Sequence, residues 1–130
     1  MHKYRFPTAE EIIEVNRPVL AEIPVKKADR HQILSRAKLQ LILDSAKNTN
    51  DDIYNSATEL LFGIVKGHPF ASGVRRTAVT VTSAFLKLNG AEGEVPHDSE
   101  VLKGIREGFY NKGEVREWLR GHGIRKRTSN

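Results

Sequence analysis

The stretch Gly67-His68-Pro69-Phe70-Ala71-Ser72-Gly73-Val74-Arg75-Arg76-Thr77 separates two apolar patterns of helical period. One pattern enters it from the N-terminal side and ends near Val65, and the other leaves it and stops at Asn89-Gly90. The stretch itself contains a histidine, a glycine that permits a tight turn, and two adjacent arginines. We therefore predict a loop that leads into the N-terminal end of a helix.

Such a loop favours a bound anion, because the first turn of a helix has free backbone N–H groups and the positive end of the helix dipole. Arg75 and Arg76 add forked donors that suit phosphate oxygens. Two cations in a first helical turn oppose the dipole, so they need an anion or an acidic neighbour. His68 adds a group that takes up a proton near neutral pH. A base beside a phosphate cradle is the minimum equipment for moving a phosphate-containing group onto a hydroxyl.

Two further helices are predicted upstream. Thr8 and Glu11 form a capping box for the first, which Pro18 ends or kinks. Asp29 is the N-cap candidate for the second, which runs from about Arg30 to Ala46. Its apolar stripe is Ile33, Leu34, Ala37 and Leu41, widened by Leu39, Ile42 and Leu43.

The two helices that flank the loop have the clearest patterns. The helix before it is capped by Asn50 or Asp51, and its buried positions are Ile53, Ala57, Leu60, Leu61, Ile64 and Val65. The helix after it repeats apolar residues at spacings of four and three, at Val74, Ala78, Val81, Phe85 and Leu88. This second helix has few charges over three turns, so we expect other helices to surround it.

Two short helices complete the pattern. Asp98 or Ser99 caps one with Val101, Leu102 and Ile105, and Gly113 starts another with Val115, Trp118 and Leu119. The sequence thus predicts an all-α fold, a compact bundle of about six helices around a central motif helix. We expect a single domain over residues 1–124 and a basic, flexible tail over 125–130.

Composition limits the function classes. The 130 residues suffice for one domain with a core, and 38% hydrophobic and 28% charged residues are typical of a soluble protein. The absence of cysteine excludes disulfides and thiolate metal sites. No apolar run reaches the ~20 residues of a membrane span and no secretory signal is visible, so we expect a cytoplasmic protein without a membrane partner. The net charge of +5 favours acidic partners, but many soluble domains have such an excess, and we do not expect nucleic acid.

His68 through Arg76 resemble the signature of the Fic/Doc family, His-x-Phe-x-(Asp/Glu/Asn)-(Gly/Ala)-Asn-(Gly/Lys)-Arg. The flanking segments Ala57-Thr58-Glu59-Leu60-Leu61 and Phe85-Leu86-Lys87-Leu88-Asn89-Gly90 are similar to the Doc, or death-on-curing, branch. The resemblance implies a toxin-type transferase that moves a phosphoryl or nucleotidyl group from a nucleoside triphosphate to a hydroxyl of a target protein. It also implies a toxin–antitoxin pair, because no Ser or Thr is followed four residues later by Glu, as in the inhibitory helix of some Fic proteins.

The resemblance assigns roles to five residues. His68 is the catalytic base that deprotonates the target hydroxyl, and Phe70 is a core anchor of the loop. Gly73, Arg75 and Arg76 bind the phosphates of the nucleotide. The implied cofactor is ATP or another nucleoside triphosphate with Mg²⁺.

Two positions depart from the signature. Ser72 stands where a residue commonly binds Mg²⁺, and its hydroxyl lacks the charge of a carboxylate ligand. Val74 replaces an asparagine that contacts phosphate, and valine has neither donor nor acceptor. Metal ligands from elsewhere are limited to candidates such as Glu59, Asp51 and Asp52.

The residues therefore leave three hypotheses open. The first is the active transferase, and the second is a degenerate module that binds a nucleotide or a protein partner without turnover. The third is nucleic-acid binding through the basic surface and tail, for which no recognition motif is present. The remaining histidines have no metal-ligand spacing and are assigned surface or capping roles: His2, His31, His97 and His122.

Overall fold

The computed structural model describes residues 4–22, 35–49, 52–70, 72–91 and 95–126. Over these ranges the chain forms six α-helices and no β-strand, which confirms the all-α prediction. The helices are α1 (Ala9–Glu22), α2 (Arg36–Lys47), α3 (Ile53–Gly67), α4 (Val74–Leu88), α5 (Ser99–Arg106) and α6 (Lys112–Leu119). None of the described helices is both long enough and apolar enough to cross a bilayer.

Helix α3 is the main packing partner in the bundle. It contacts α2, α4, α5 and α6, whereas α4, the motif helix, packs mainly against α3 and α1. The side chains of Leu60, Leu61 and Ile64 on α3 are completely buried, as the sequence predicts. The loop between α3 and α4 therefore joins two helices whose relative position is fixed by the core.

Helix α1 begins as predicted and ends later. The N–H of Thr8 donates to Glu11 Oε1 at 2.9 Å, and the N–H of Glu11 donates to Thr8 Oγ1 at 3.1 Å, which completes the capping box. Pro18 was predicted to end or kink the helix, and the first of these two effects is wrong, because α1 continues to Glu22. The preceding turns are held in the core by Ile12 and other buried residues, so packing there offsets the cost of the proline.

Helix α2 presents a different face from the one predicted. Ala37 is exposed and Leu41 is 66% exposed, so the stripe assigned to them is wrong. The buried face consists of the three residues that were predicted only to widen the stripe, together with one alanine. These residues are Leu39, Ile42, Leu43 and Ala46. The helix has apolar residues on two faces, and contact with α3 decides which one is buried.

Several predicted helix starts also shift. Helix α2 is capped by the Ser35 hydroxyl, which accepts from the N–H of Lys38 at 3.1 Å, while Asp29 and residues 30–34 lie outside the described residues. Helix α3 is capped by Asp52, which accepts from the N–H of Tyr54 at 2.8 Å. The predicted caps Asn50 and Asp51 also lie outside the described residues.

At the C-terminal end, the Asp98 cap of α5 is confirmed. Helix α6 starts at Lys112, not at Gly113, because Asn111 and Glu114 form a capping box. Leu88 is 58% exposed, so its predicted place on the buried face of α4 is wrong.

Arg125, the first residue of the predicted tail, is fixed against α6 and the segment before it. Its guanidinium lies 3.9 Å from the centre of the Phe109 ring and pairs with Glu114, and its carbonyl accepts from Tyr110 Oη at 2.9 Å. The hydrogen bond from Arg125, together with the N–H of Asn111, lowers the pKa of Glu114. Residues 127–130 lie outside the described part of the chain.

Gly63 on α3 permits the close approach of α2. A Cβ atom at this position would lie 2.7 Å from Ile42 Cγ2 and 2.9 Å from Ile42 Cγ1. Ile42 is β-branched and has little rotamer freedom in a helix, so it cannot move aside without a shift of α2. Gly67, one turn later, is not restricted in this way, because its Cβ would lie 3.4 Å from Ile42 Cδ1.

We predict that Gly63→Ala lowers the free energy of unfolding by about 1 kcal/mol, because overpacking of ~1–3 kcal/mol exceeds the ~1 kcal/mol gain in helix propensity. Urea denaturation measures the change. Gly67→Ala is the matched control and should be neutral or stabilising.

The cause is tested in the Ile42→Ala background, which removes both clashing methyl(ene) groups. There Gly63→Ala should no longer destabilise. An equal cost in both backgrounds would contradict the proposed contact between the two helices.

Candidate functional site

The motif loop begins with a strained residue. His68 ends α3 in the left-handed conformation, with φ 51° and ψ 56°, and its N–H donates to the carbonyl of Ile64 at 3.1 Å. It is the only non-glycine residue with positive φ among those described. A non-glycine residue in this region costs on the order of 1 kcal/mol, and such strain concentrates at functional sites. The backbone at His68 thus marks this turn for functional interpretation.

The next residues attach the loop to the core. The Phe70 side chain is completely buried, which is the packing expected of an anchor. The carbonyl of Pro69 accepts from the N–H of Ser35 at 3.2 Å, so the loop is also tied to the start of α2. Both contacts hold the loop between His68 and Ser72 against the bundle.

Asn16 on α1 joins the loop to the first turn of α4. Its Nδ2 donates to the carbonyl of Ser72 at 3.0 Å and to Thr77 Oγ1 at 2.9 Å. Both Asn16 and Thr77 are completely buried. Two bonds from one buried amide fix the position of the loop relative to the helix that follows it. The sequence analysis did not identify Asn16, although a polar residue within the apolar face of α1 is a recognisable signal.

Gly73 forms the second left-handed turn and starts α4. Its φ is 71° and its ψ is 18°, values that side-chain-bearing residues rarely adopt. Gly73 has no side chain to cap α4, and its carbonyl accepts only the first intrahelical bond, from the N–H of Thr77 at 2.9 Å. The N–H groups of the first turn therefore have no capping side chain at the end of the helix that faces the loop.

A cavity of about 300 Å³ lies at this helix end. Its lining brings together five of the six predicted site residues, and the sixth, Phe70, is buried in the core. The described residues that line it are Val65, His68, Ser72, Gly73, Val74, Arg75, Arg76, His97, Ser99 and Arg106.

The cavity is strongly basic. Arg75, Arg76 and Arg106 line it, and within the described ranges none of the three forms an ion pair with a carboxylate. Two arginines in the first turn of a helix need an anion or an acidic neighbour to offset the helix dipole. The described residues supply no acidic partner for them, and a bound anion is the alternative developed below.

The donors in the cavity do not fit Mg²⁺. Among the described residues no carboxylate lines the cavity, and they contain no cluster of metal-binding side chains. Of the candidates for a distant ligand, Asp52 caps α3 and pairs with Arg120, and Glu59 pairs with Lys112 at 3.0 Å. Asp51 lies outside the described residues. Hard divalent cations prefer carboxylate oxygens, and Ser72 contributes only a hydroxyl.

A protein-family model of the Fic/DOC family matches residues 6–86, more than half of the chain. The chain belongs to the Fic/DOC family. No curated protein matches it. The family match covers α1, the motif loop and nearly all of α4, and it ends before the residues that form the opposite side of the cavity.

Those residues, His97, Ser99 and Arg106, were missed by sequence reasoning. His97 was assigned a surface or capping role, and Arg106 fits a cation in the last turn of α5, where it complements the helix dipole. Their separation from the motif in sequence gives no indication of proximity. Only the packing of α5 on α3 brings them to the cavity.

We predict that Asn16→Ala lowers the free energy of unfolding by about 1–3 kcal/mol, because it leaves buried hydrogen-bonding groups without their donor. Chemical denaturation followed by circular dichroism measures the change. The exposed Asn48→Ala is the control and should stay within about 0.5 kcal/mol of the wild type. Equal stability of the two variants would show that the Asn16 bonds do not hold the loop.

Proposed function

We propose that the cavity binds the phosphate groups of a nucleoside triphosphate. The observation that carries the proposal is the convergence of Arg75, Arg76 and the end of α4 in one cavity without a paired carboxylate among the described residues. Guanidinium groups bind phosphate with forked, charge-assisted hydrogen bonds. Membership of the Fic/DOC family supports a nucleotide as the source of the phosphate.

We further propose that the chain is a weakened member of the Doc branch, which still binds a nucleotide or a protein partner but has little or no transferase activity. The lack of a carboxylate among the described lining residues favours this alternative over an efficient transferase. Val74 supports it too, because the side chain is only 6% exposed and has no group to offer a phosphate. A protein partner, such as a separate antitoxin, remains part of this proposal.

Transfer to a protein hydroxyl is the second candidate, and the position of His68 favours it. In this reaction His68 takes the proton of the hydroxyl, whose oxygen attacks a phosphorus atom of the nucleotide. Attack at the γ-phosphorus expels ADP, and attack at the α-phosphorus expels pyrophosphate. Arg75 and Arg76 stabilise the negative charge on the phosphate oxygens.

We predict that ATP binds the wild type and that Arg76→Ala weakens binding about 10- to 100-fold, since a hydrogen bond to a charged group is worth ~1.5–3 kcal/mol. Isothermal titration calorimetry with ATP and ADP measures the affinities. The control is Arg17→Ala, which removes an exposed arginine on α1 outside the cavity and should bind like the wild type. No binding to the wild type, or equal binding to all three proteins, would refute the phosphate site.

A second prediction concerns transfer. With γ-³²P-ATP and α-³²P-ATP in cell lysate, we expect label transfer by the wild type near background and an increase of about tenfold or more in Ser72→Asp with Mg²⁺, because the substitution supplies the missing carboxylate. Adding His68→Asn should reduce that transfer about 10²–10⁴-fold. Asparagine tolerates the left-handed backbone and cannot act as the base, so thermal stability should change little.

Robust transfer by the wild type would show that Ser72 and Val74 do not weaken the enzyme. Transfer that survives His68→Asn would refute the general-base role.

A further inference from the structure

We propose that Arg106 completes a three-arginine site that binds the triphosphate chain in its metal-free form. The inference rests on the phosphate site proposed above and adds a residue from α5, together with the ionic form of the ligand. Arg106 lies outside the segment that matches the family model.

The three arginines line the cavity from two different helices. Arg75 and Arg76 reach the cavity from the first turn of α4, and Arg106 reaches it from the last turn of α5. A ligand in the cavity therefore has arginines from two helices around it. Forked donors from different directions suit a chain of several phosphate groups better than a single planar carboxylate.

The charge of the cavity favours the metal-free form of the ligand. Mg²⁺ bound to a triphosphate neutralises part of its charge and occupies some of its oxygens. A site for the magnesium complex usually supplies one or two carboxylate oxygens to the metal. The part of this cavity that the described residues form has the opposite composition, with three arginines and no carboxylate. The arginines thus take the place of the metal as the counter-charge.

The size of the cavity also limits the ligand. The cavity volume of about 300 Å³ is at the lower end of the ~300–1,000 Å³ typical of ligand pockets. A cavity of this size accommodates phosphate groups, and the cations lie in its lining. We therefore expect the phosphate chain to supply most of the binding, so that inorganic triphosphate binds nearly as well as ATP.

The presence of an arginine at position 106 also has a simpler explanation, which the experiment must distinguish from phosphate binding. A cation in the last turn of a helix stabilises that helix through its dipole, with or without a ligand. Lys103 is also in the last turn of α5, is exposed, and does not line the cavity. Lys103→Gln is therefore the matched control for Arg106→Gln, because both remove one charge from the same helix end.

The experiment is calorimetric titration of the full chain with ATP and with inorganic triphosphate, each in EDTA and in excess Mg²⁺. We expect the wild type to bind both ligands at least about fivefold more tightly in EDTA. Arg106→Gln should lose about tenfold or more in affinity for the metal-free ligands, the effect of one charge-assisted contact. Lys103→Gln should bind like the wild type, and melting curves should show that both variants are folded.

Three results would overturn the proposal. The first is equal or tighter binding of the magnesium complexes, and the second is an Arg106→Gln protein that binds like Lys103→Gln. In either case the proposed phosphate site would still be supported if ATP binds the wild type and Arg76→Ala weakens that binding. The third is no binding of ATP to the wild type in EDTA or Mg²⁺, which would refute both proposals.

Discussion

A single buried amide determines how the rest of the site is arranged. Asn16 bonds to the loop at Ser72 and to α4 at Thr77, so α1, the loop and α4 share one point of attachment. A buried amide satisfied in this way is favourable, but it becomes costly if either partner moves away. The carbonyl of Ser72 is therefore held in place beside α1, and the buried Phe70 side chain anchors the other end of the loop in the core. The proposed phosphate site benefits from this order, because its donors lie on the loop and on the helix end.

The basic cavity has an energetic consequence for the free protein. Three arginines without a paired carboxylate among the described residues repel one another, and the two on α4 also oppose the helix dipole. A polyanion that binds there removes this repulsion and stabilises the folded state in proportion to its affinity and concentration. Binding and stability of the domain should therefore be coupled, and the coupling should weaken as salt screens the charges.

The sequence predicted the fold well where local signals were strong. The period of α3 and α4 and the Asn-Gly stop identified the two helices around the loop, and capping boxes located the start of α1. Predictions were wrong where the local sequence allowed two arrangements of similar free energy, such as two apolar faces of one helix. Leu41 and Ile42 are both apolar, and the packing of α2 on α3, where Ile42 fits against Gly63, buries Ile42 instead of Leu41. The motif residues could be assigned to one site because they are adjacent in sequence, whereas His97 and Arg106 reach the cavity only through the packing of α5.

The left-handed backbone at His68 has an implication for how the chain evolves. Glycine is the residue that best tolerates this conformation at the end of a helix, so His68→Gly would relieve the strain there. Selection for folding alone would therefore favour glycine over histidine at this position. The histidine has a cost in stability, which a contribution of the imidazole to the proposed function would offset. The strained turn thus links the energetic state of one residue to the selective value of the function proposed for it.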